Sequence, residues 1–293
     1  MPKKSLSGLI HLLPLLIPFG ILFLWGISYT LYGAFTHSGG TGLTGGGGFT
    51  LGHFKTIFMD PRLRVSVLHT LMIALIASTL SVVGGTLLAL GLWTLPRRLR
   101  GIALVYKLPI ILPHLTAAFI VMVLLSRSGV AASVAHRFGL ITGITDFPDL
   151  LYGDSKFGLI TAYVWKEAPF AALLVVSVLG KLNFNYVHTA RMLGAGRWFT
   201  FRNVIYPHIA PVVDTSFIIL FLYTLGAFDI PFVIGGSSPR MLSITVYNLY
   251  FRRGLEVRPQ ALALLTLLFA FSLIFVVLFF RSTRRMRGRG ATL

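Results

Sequence analysis

The sequence contains no cysteine. Without a thiol, the chain has no disulfide, no thiolate nucleophile and no cysteine ligand for a metal ion. This absence excludes several classes of enzyme and of disulfide-stabilised or zinc-stabilised domain.

Acidic residues are also scarce. Only 8 of the 293 residues are Asp or Glu, against 26 Lys or Arg, and the formal net charge is +18. Charged residues make up 12% of the chain and hydrophobic residues 55%, a balance far from that of a soluble globular domain. Because the basic residues flank long apolar stretches, membrane topology explains the charge better than a nucleic acid partner does. We therefore predict an all-α membrane protein in contact with lipid and with no nucleic acid partner.

A phosphate-binding loop is missing as well. The chain nowhere contains the pattern G-x-x-x-x-G-K-[ST], with which P-loop ATPases hold the phosphates of ATP. The glycine-rich stretch THSGGTGLTGGGGFTLG, residues 36–52, does not match it and is predicted to be a flexible surface loop. The chain is therefore not expected to hydrolyse ATP by itself through a P-loop. It is also expected to bind no cofactor and no metal and not to be catalytic by itself.

Long apolar stretches dominate what remains. Six of them are long enough, at about 20 residues, to cross a membrane as helices. The first is expected to be an uncleaved span, because no small-x-small cleavage site follows its apolar run. The predicted spans are residues 9–32, 65–92, 102–125, 157–179, 204–233 and 261–280.

The distribution of charge predicts the orientation of these spans. The N-terminus, the loops after spans two and four and the C-terminal tail together carry 14 basic residues and no acidic one, whereas the opposite side carries ten basic and five acidic residues. Basic residues accumulate on the cytoplasmic side, so both termini are expected there. We predict a single transmembrane domain with a core at about residues 51–281, an outer glycine-rich loop at 34–64 and a basic cytoplasmic tail at 282–293.

The segment between spans three and four is too polar to cross a membrane. In it, Val130, Val134 and Phe138 recur at i, i+4 and i+8. This spacing predicts a short amphipathic helix that lies along the outer surface.

The most unusual segment lies between spans four and five and reads HTARMLGAGRWFTFRNVIYPHIAP, residues 188–211. It is basic, interrupted by glycines and rich in aromatics, which predicts two short helices that meet at a bend. Helical spacing separates two sides in the first helix, with Leu193 at the boundary between them. One side holds Val187, Ala190 and Gly194, and the other side holds His188, Thr189 and Met192.

This segment resembles the signature of ABC-importer permeases, which is Glu-Ala-Ala, three residues, Gly, nine residues and Ile-x-Leu-Pro. The chain has HTA at 188–190, Gly194, Val204, Tyr206 and Pro207, and the spacing from Gly to Pro matches. The resemblance extends from about residue 51 to 281 and implies a MetI-like permease fold. It also implies that cytoplasmic coupling helices in this segment bind a separate P-loop ATPase subunit. The coupling residues that it implies are His188, Thr189, Ala190, Gly194, Ala195 and Pro207.

The first positions of the signature depart from the family. His188 replaces the usual glutamate and Thr189 replaces the following alanine. A histidine donates or accepts a hydrogen bond but supplies no fixed negative charge. Two explanations stay open: the chain pairs with a second, unlike permease subunit that carries the acid, or the site tolerates neutral drift.

Polar groups within spans are costly and are therefore candidates for function. Lys166 and Glu167 are adjacent, so on a helix they point about 100 degrees apart. Either each finds a partner on a neighbouring helix, or Pro169 opens the helix and exposes them to a water-filled path. The candidates for the translocation path are His114, Lys166, Glu167, Asp214 and Asp229.

Two further segments narrow the resemblance. Residues 126–153 and the run AFDIPFVIGG, residues 227–236, look like permeases for polyamines, whose relatives handle thiamine, phosphonates and ferric iron. The implied assembly in the bacterial inner membrane contains two permease subunits, two ATPases that use ATP and an extracytoplasmic substrate-binding protein.

Two other functions compete with this one. An intramembrane enzyme built on Glu167, His114 and Asp214 lacks a recognisable motif such as H-E-x-x-H or G-x-S-x-G. A secondary transporter that uses an ion gradient is expected to show inverted repeats, and the sequence has no matching halves.

Overall fold

A computed structural model describes residues 4–36, 48–96, 101–236 and 239–290 of the chain. Most of the glycine-rich loop, the arginines at 97, 98 and 100 and the last three residues of the tail lie outside the described residues. Within the described ranges the chain is helical, with a single isolated β-bridge between Thr36 and Phe49 and no strand. The α-helices are α1 (Lys4–Phe35), α2 (Gly52–Met59), α3 (Pro61–Thr94), α4 (Leu108–Ile111), α5 (His114–Leu125), α6 (Val130–Arg137), α7 (Phe157–Leu179), α8 (Phe184–Met192), α9 (Arg197–Thr200), α10 (Tyr206–Gly226), α11 (Asp229–Ile234), α12 (Leu242–Tyr247) and α13 (Arg258–Gly290).

Six helical stretches of the described chain are long and apolar enough to cross a membrane. They confirm the predicted fold class, an all-α membrane protein with six spans. The fourth span has the predicted bounds. The short helix predicted after residue 125 is α6, which forms the end of the third stretch. The six stretches are Leu12–Phe35, Pro61–Thr94, His114–Arg137, Phe157–Leu179, Arg197–Gly226 and Leu255–Thr283.

The third predicted span, residues 102–125, is not one helix. It begins as the 3-10 helix Ile102–Lys107, continues as α4 and breaks at Leu112, whose ψ is 139°, before α5 begins. Pro113 explains the break, because proline donates no backbone hydrogen bond and forces the preceding residue into an extended conformation.

The fifth predicted span, residues 204–233, is also interrupted. α10 ends at Gly226, Ala227 is extended with ψ 135°, and α11 then begins at Asp229. Pro231 falls within the first turn of α11, where its missing N–H has no helical partner to lose. Broken spans of this kind leave backbone groups that need partners other than the helix itself.

The chain packs as two compact units, residues 1–64 with 245–278 and residues 65–244 with 279–293. In the first unit, the hydroxyls of Tyr29 and Tyr250 lie 3.2 Å apart, and the Arg258 guanidinium stacks over the Tyr250 ring at 5.0 Å. The exposed apolar side chains of α1 in this unit fit contact with lipid.

The second unit contains the main buried core. Ile73, Ala118, Leu159, Tyr163 and Ile230 belong to one apolar cluster that joins α3, α5, α7 and α11. This core places the interrupted third and fifth spans against the continuous helix α7.

α3 and α7 approach each other closely at one glycine. A Cβ atom on Gly85 would lie 2.4 Å from the Ala168 carbonyl oxygen and 2.7 Å from the Ala171 Cβ. The approach therefore requires a residue without a side chain at position 85.

Candidate functional site

The unusual segment between spans four and five folds as α8, a tight bend and α9, and continues as the π-helix Phe201–Ile205. We refer to residues 183–205 as the α8–α9 segment. Asn183 begins it, and its side chain accepts a hydrogen bond of 3.0 Å from the Asn185 N–H. The two short helices predicted from the glycine spacing are both present.

The bend is a Schellman motif built on Gly194. This glycine has φ +83°, and its N–H donates to the Arg191 carbonyl oxygen at 3.0 Å. The Ala195 N–H donates to the Ala190 carbonyl oxygen, also at 3.0 Å. These two bonds satisfy carbonyls at the end of α8 that no helical donor reaches. Three of the predicted coupling residues, Ala190, Gly194 and Ala195, thus form the bend through their backbone groups.

One side of the α8–α9 segment is buried. Val187 and Ile205 belong to an apolar cluster with Val175 and Leu179 of α7 and Ile209 of α10. The segment is therefore fixed to the ends of two spans rather than free to move as a loop.

The other side of the segment exposes apolar side chains. Met192 is 88% exposed and Leu193 is 83% exposed, both next to the bend, and Trp198 of α9 is also exposed. His188 and Thr189 lie on this exposed side, while Ala190 is half-buried. Large apolar residues at the tip of a short bend favour contact with another surface.

Pro207 lies in the first turn of α10, just after the π-helix. Pro207 has no N–H to donate, and the N–H of the preceding residue, Tyr206, donates to the Phe201 carbonyl oxygen, five residues back. The Phe201 ring lies 5.7 Å from Trp198 and 6.0 Å from Tyr206. The chain from Arg197 to Gly226 thereby continues as one helical stretch.

Lys166 and Glu167 both find partners on neighbouring elements. The Lys166 Nζ donates to the Leu112 carbonyl oxygen at 2.6 Å, to that of Ile110 at 3.1 Å and to that of Pro109. The helix α7 continues through Pro169 without a break. Of the two alternatives that the sequence leaves open, the structure thus shows partners on neighbouring elements.

Glu167 points towards α10 and α3. Its Oε1 accepts a hydrogen bond from the Thr224 Oγ1 at 2.8 Å, and its Oε2 accepts one from the Ser81 Oγ at 3.3 Å. Lys166 is 6% exposed and Glu167 is 3% exposed. Sequence reasoning missed both hydroxyl partners, since isolated Ser and Thr residues in apolar spans form no pattern.

The other path candidates lie at or near the interrupted spans. His114 begins α5, and its ring lies 5.0 Å from the Tyr223 ring of α10. Asp229 begins α11, and both His114 and Asp229 are half-buried. Asp214 is half-buried in the first half of α10, about three turns before Thr224. No group of three or more His, Asp or Glu side chains in the described ranges is arranged to hold a metal ion.

Comparison with known proteins gives the family. Residues 81–288 match the family described as "Binding-protein-dependent transport system inner membrane component". The molybdenum transport system permease protein ModB of Azotobacter vinelandii is 28% identical over 183 residues, which cover 61% of this chain and 77% of that protein. The sulfate transport system permease protein CysT of Escherichia coli is 27% identical over 222 residues, which cover 74% of this chain and 76% of that protein.

A solved structure shares the fold. The crystal structure of a bacterial alginate ABC transporter in complex with an alginate pentasaccharide-bound periplasmic protein contains a chain with a TM-score of 0.79 and 22% identity. The alignment covers 97% of this chain and 96% of that chain. At this identity the likeness shows the fold alone.

The family match covers more than half of the chain. The protein is a multi-pass permease subunit of an ABC importer, works with ATPase subunits, a second permease and a binding protein, and is not an enzyme by itself. ATP is used on the ATPase partner. The chain belongs to the binding-protein-dependent transport system inner membrane components.

Proposed function

We propose that the α8–α9 segment is the surface through which the ATPase subunit drives this permease. The proposal rests on the difference between the two sides of this segment. Val187 and Ile205 are buried against the spans, whereas Met192 and Leu193 are almost fully exposed. A fixed base and an apolar tip suit the transfer of a displacement from a partner into the membrane. The proposal places this segment and both termini in the cytoplasm, which the excess of basic residues on that side supports.

The chemistry of the tip indicates the kind of ATPase surface it fits. Met192 and Leu193 fit an apolar cleft on the ATPase. The exposed Arg191 and Arg197 favour acidic groups around the edge of that cleft. His188 offers a hydrogen bond in place of the usual carboxylate. We propose that the second permease subunit is unlike this one and supplies the acidic contact.

The proposed solute is small and polar and is delivered by the binding protein. The sequence resemblance to polyamine permeases is one candidate, and the half-buried carboxylate of Asp229 is compatible with a cationic solute. The relatives named for molybdenum and sulfate favour a different solute class. The two classes are distinguished by assaying the purified binding protein for heat of binding with putrescine, spermidine, sulfate and molybdate.

Replacing Leu193 by Asp is expected to remove the ATPase from the purified complex. A carboxylate at the tip must lose its hydration on entering an apolar cleft, and even about 1.4 kcal/mol of lost affinity is tenfold. The measurement is the amount of ATPase that co-elutes with the permease. The matched control is Leu140→Asp, because Leu140 is also highly exposed, at 76%, but lies after α6. Equal recovery of the ATPase with both variants contradicts the proposed contact.

A further inference from the structure

The Lys166 ammonium is fully engaged at the break in the third span. An ammonium group has three N–H donors, and three carbonyl oxygens, those of Pro109, Ile110 and Leu112, accept from it. These carbonyls lie in α4 and at its end, where Pro113 supplies no donor. A cation at the carbonyl end of a helix is also electrostatically favoured. Lys166 therefore fastens α7 to the break between α4 and α5.

Its neighbour Glu167 fastens α7 to two other spans. One carboxylate oxygen accepts from Thr224 on α10 and the other from Ser81 on α3. Two consecutive residues of α7 thus form hydrogen bonds to three other spans. Lys166 bonds to the interrupted third span, and Glu167 bonds to α10 and α3. All three N–H donors of Lys166 and both carboxylate oxygens of Glu167 already form hydrogen bonds within the protein. These residues are therefore better suited to holding the spans together than to direct contact with the solute.

Two of the three helices that meet at Glu167, α7 and α10, continue to the α8–α9 segment. α10 is reached from α9 through the π-helix Phe201–Ile205 without a break. α7 ends at Leu179, which packs in the same apolar cluster as Val187 of α8. The segment is therefore connected to the two polar residues along both α10 and α7.

We propose that Lys166 and Glu167 are positioning residues for transport. Lys166 makes the α4–α5 break follow α7, and Glu167 makes α7 and α10 move together, so the displacement of the α8–α9 segment reaches the interrupted third span. This inference rests on the proposed contact between that segment and the ATPase. A contiguous network of this kind needs direct evidence of coupling, which variants of the complete transporter provide.

The test uses the complete importer reconstituted in proteoliposomes with its ATPase and its solute-loaded binding protein. Lys166→Met keeps the apolar stem and loses the donors, whereas Lys166→Arg keeps donors and a charge. We expect Lys166→Met to keep ATPase binding and basal hydrolysis, which belongs to the partner subunit. It loses about tenfold in transport and in the stimulation of hydrolysis by the loaded binding protein, a typical size for coupling between sites. Lys166→Arg is expected to restore most of that stimulation.

A second variant keeps the test decisive if Lys166→Met does not assemble. Thr224→Val preserves the side-chain shape and removes the hydroxyl that Glu167 accepts from. It is expected to reduce the stimulation in the same direction, and adding it to Lys166→Met is expected to cost little more, because both act on one network.

The outcomes separate this inference from the proposed function. A merely structural role lowers yield, ATPase binding and transport together and leaves the stimulation ratio of the assembled complex unchanged. That result in Lys166→Met, or in Thr224→Val if Lys166→Met does not assemble, overturns the inference when Leu193→Asp does lose the ATPase. Retention of the ATPase by Leu193→Asp overturns the proposed function instead.

Discussion

Replacing Gly194 by Val is expected to abolish ATP-driven transport while the chain still inserts into the membrane. Gly194 has φ +83°, and a Cβ placed on it would meet no atom within 4 Å. The cost is therefore one of backbone conformation, about 1–2 kcal/mol for an ordinary residue and more for a β-branched one. At about 2 kcal/mol the equilibrium constant for forming the bend falls roughly thirtyfold. Without the bend, Met192 and Leu193 no longer present one apolar tip.

The matched control is Gly196→Val, two residues away. Gly196 also has no atom within 4 Å of a Cβ, but its φ of −65° and ψ of 167° are accessible to any residue. Transport, ATPase co-elution and the amount of permease in the membrane fraction are measured for both variants. Gly194→Asn is expected to keep part of the transport, since asparagine visits the left-handed region more readily. Equal transport by Gly194→Val and Gly196→Val contradicts the role given to the bend.

The spans were predictable to different degrees, for a physical reason. Hydropathy shows which stretches contain enough consecutive apolar residues to cross a membrane. The existence of six spans and the bounds of α7 therefore follow from the sequence. Hydropathy does not show whether the backbone hydrogen bonds of a helix continue through the whole stretch. Pro113 interrupts the third span, and the interruption is tolerated because Lys166, far along the chain, bonds to the carbonyls at the break. No local pattern links those two positions.

The candidate site also has features that could be predicted from the sequence and features that could not. The bend at Gly194 was predictable because glycines interrupt a helical pattern, and the wheel that places Val187 opposite Met192 matches their burial and exposure. The partners of Glu167 were not predictable. Ser81 and Thr224 belong to different helices, and only the packing of α3 and α10 on α7 brings their hydroxyls to the carboxylate.

Replacing Gly85 by Val is expected to destabilise the packing of α3 on α7 strongly. The new Cβ would lie 2.4 Å from the Ala168 carbonyl oxygen and 2.9 Å from the Ala172 nitrogen, and backbone atoms do not rotate away as a side chain does. α3 and α7 must separate. Ser81 lies one turn before Gly85 on the same side of α3, so its 3.3 Å hydrogen bond to Glu167 is lost with the packing.

The control for Gly85→Val is Gly91→Val in the same helix, where a Cβ meets no atom within 4 Å. Both variants introduce the same β-branched residue into α3, so their intrinsic helix propensities cancel in the comparison. Overpacking costs typically about 1–3 kcal/mol and more when backbone must shift, and for a chain of this size about 1–3 kcal/mol corresponds to roughly 2–5 °C in Tm. The measurement is the Tm of the purified permease in detergent, together with its yield. Equal Tm values for the two variants show that α3 and α7 are not held together at Gly85. A much lower Tm for Gly85→Val than for Gly91→Val, together with lost transport, supports the opposite conclusion. The close packing of α3 on α7, which includes the hydrogen bond from Ser81 to Glu167, is then needed for α7 to move during transport.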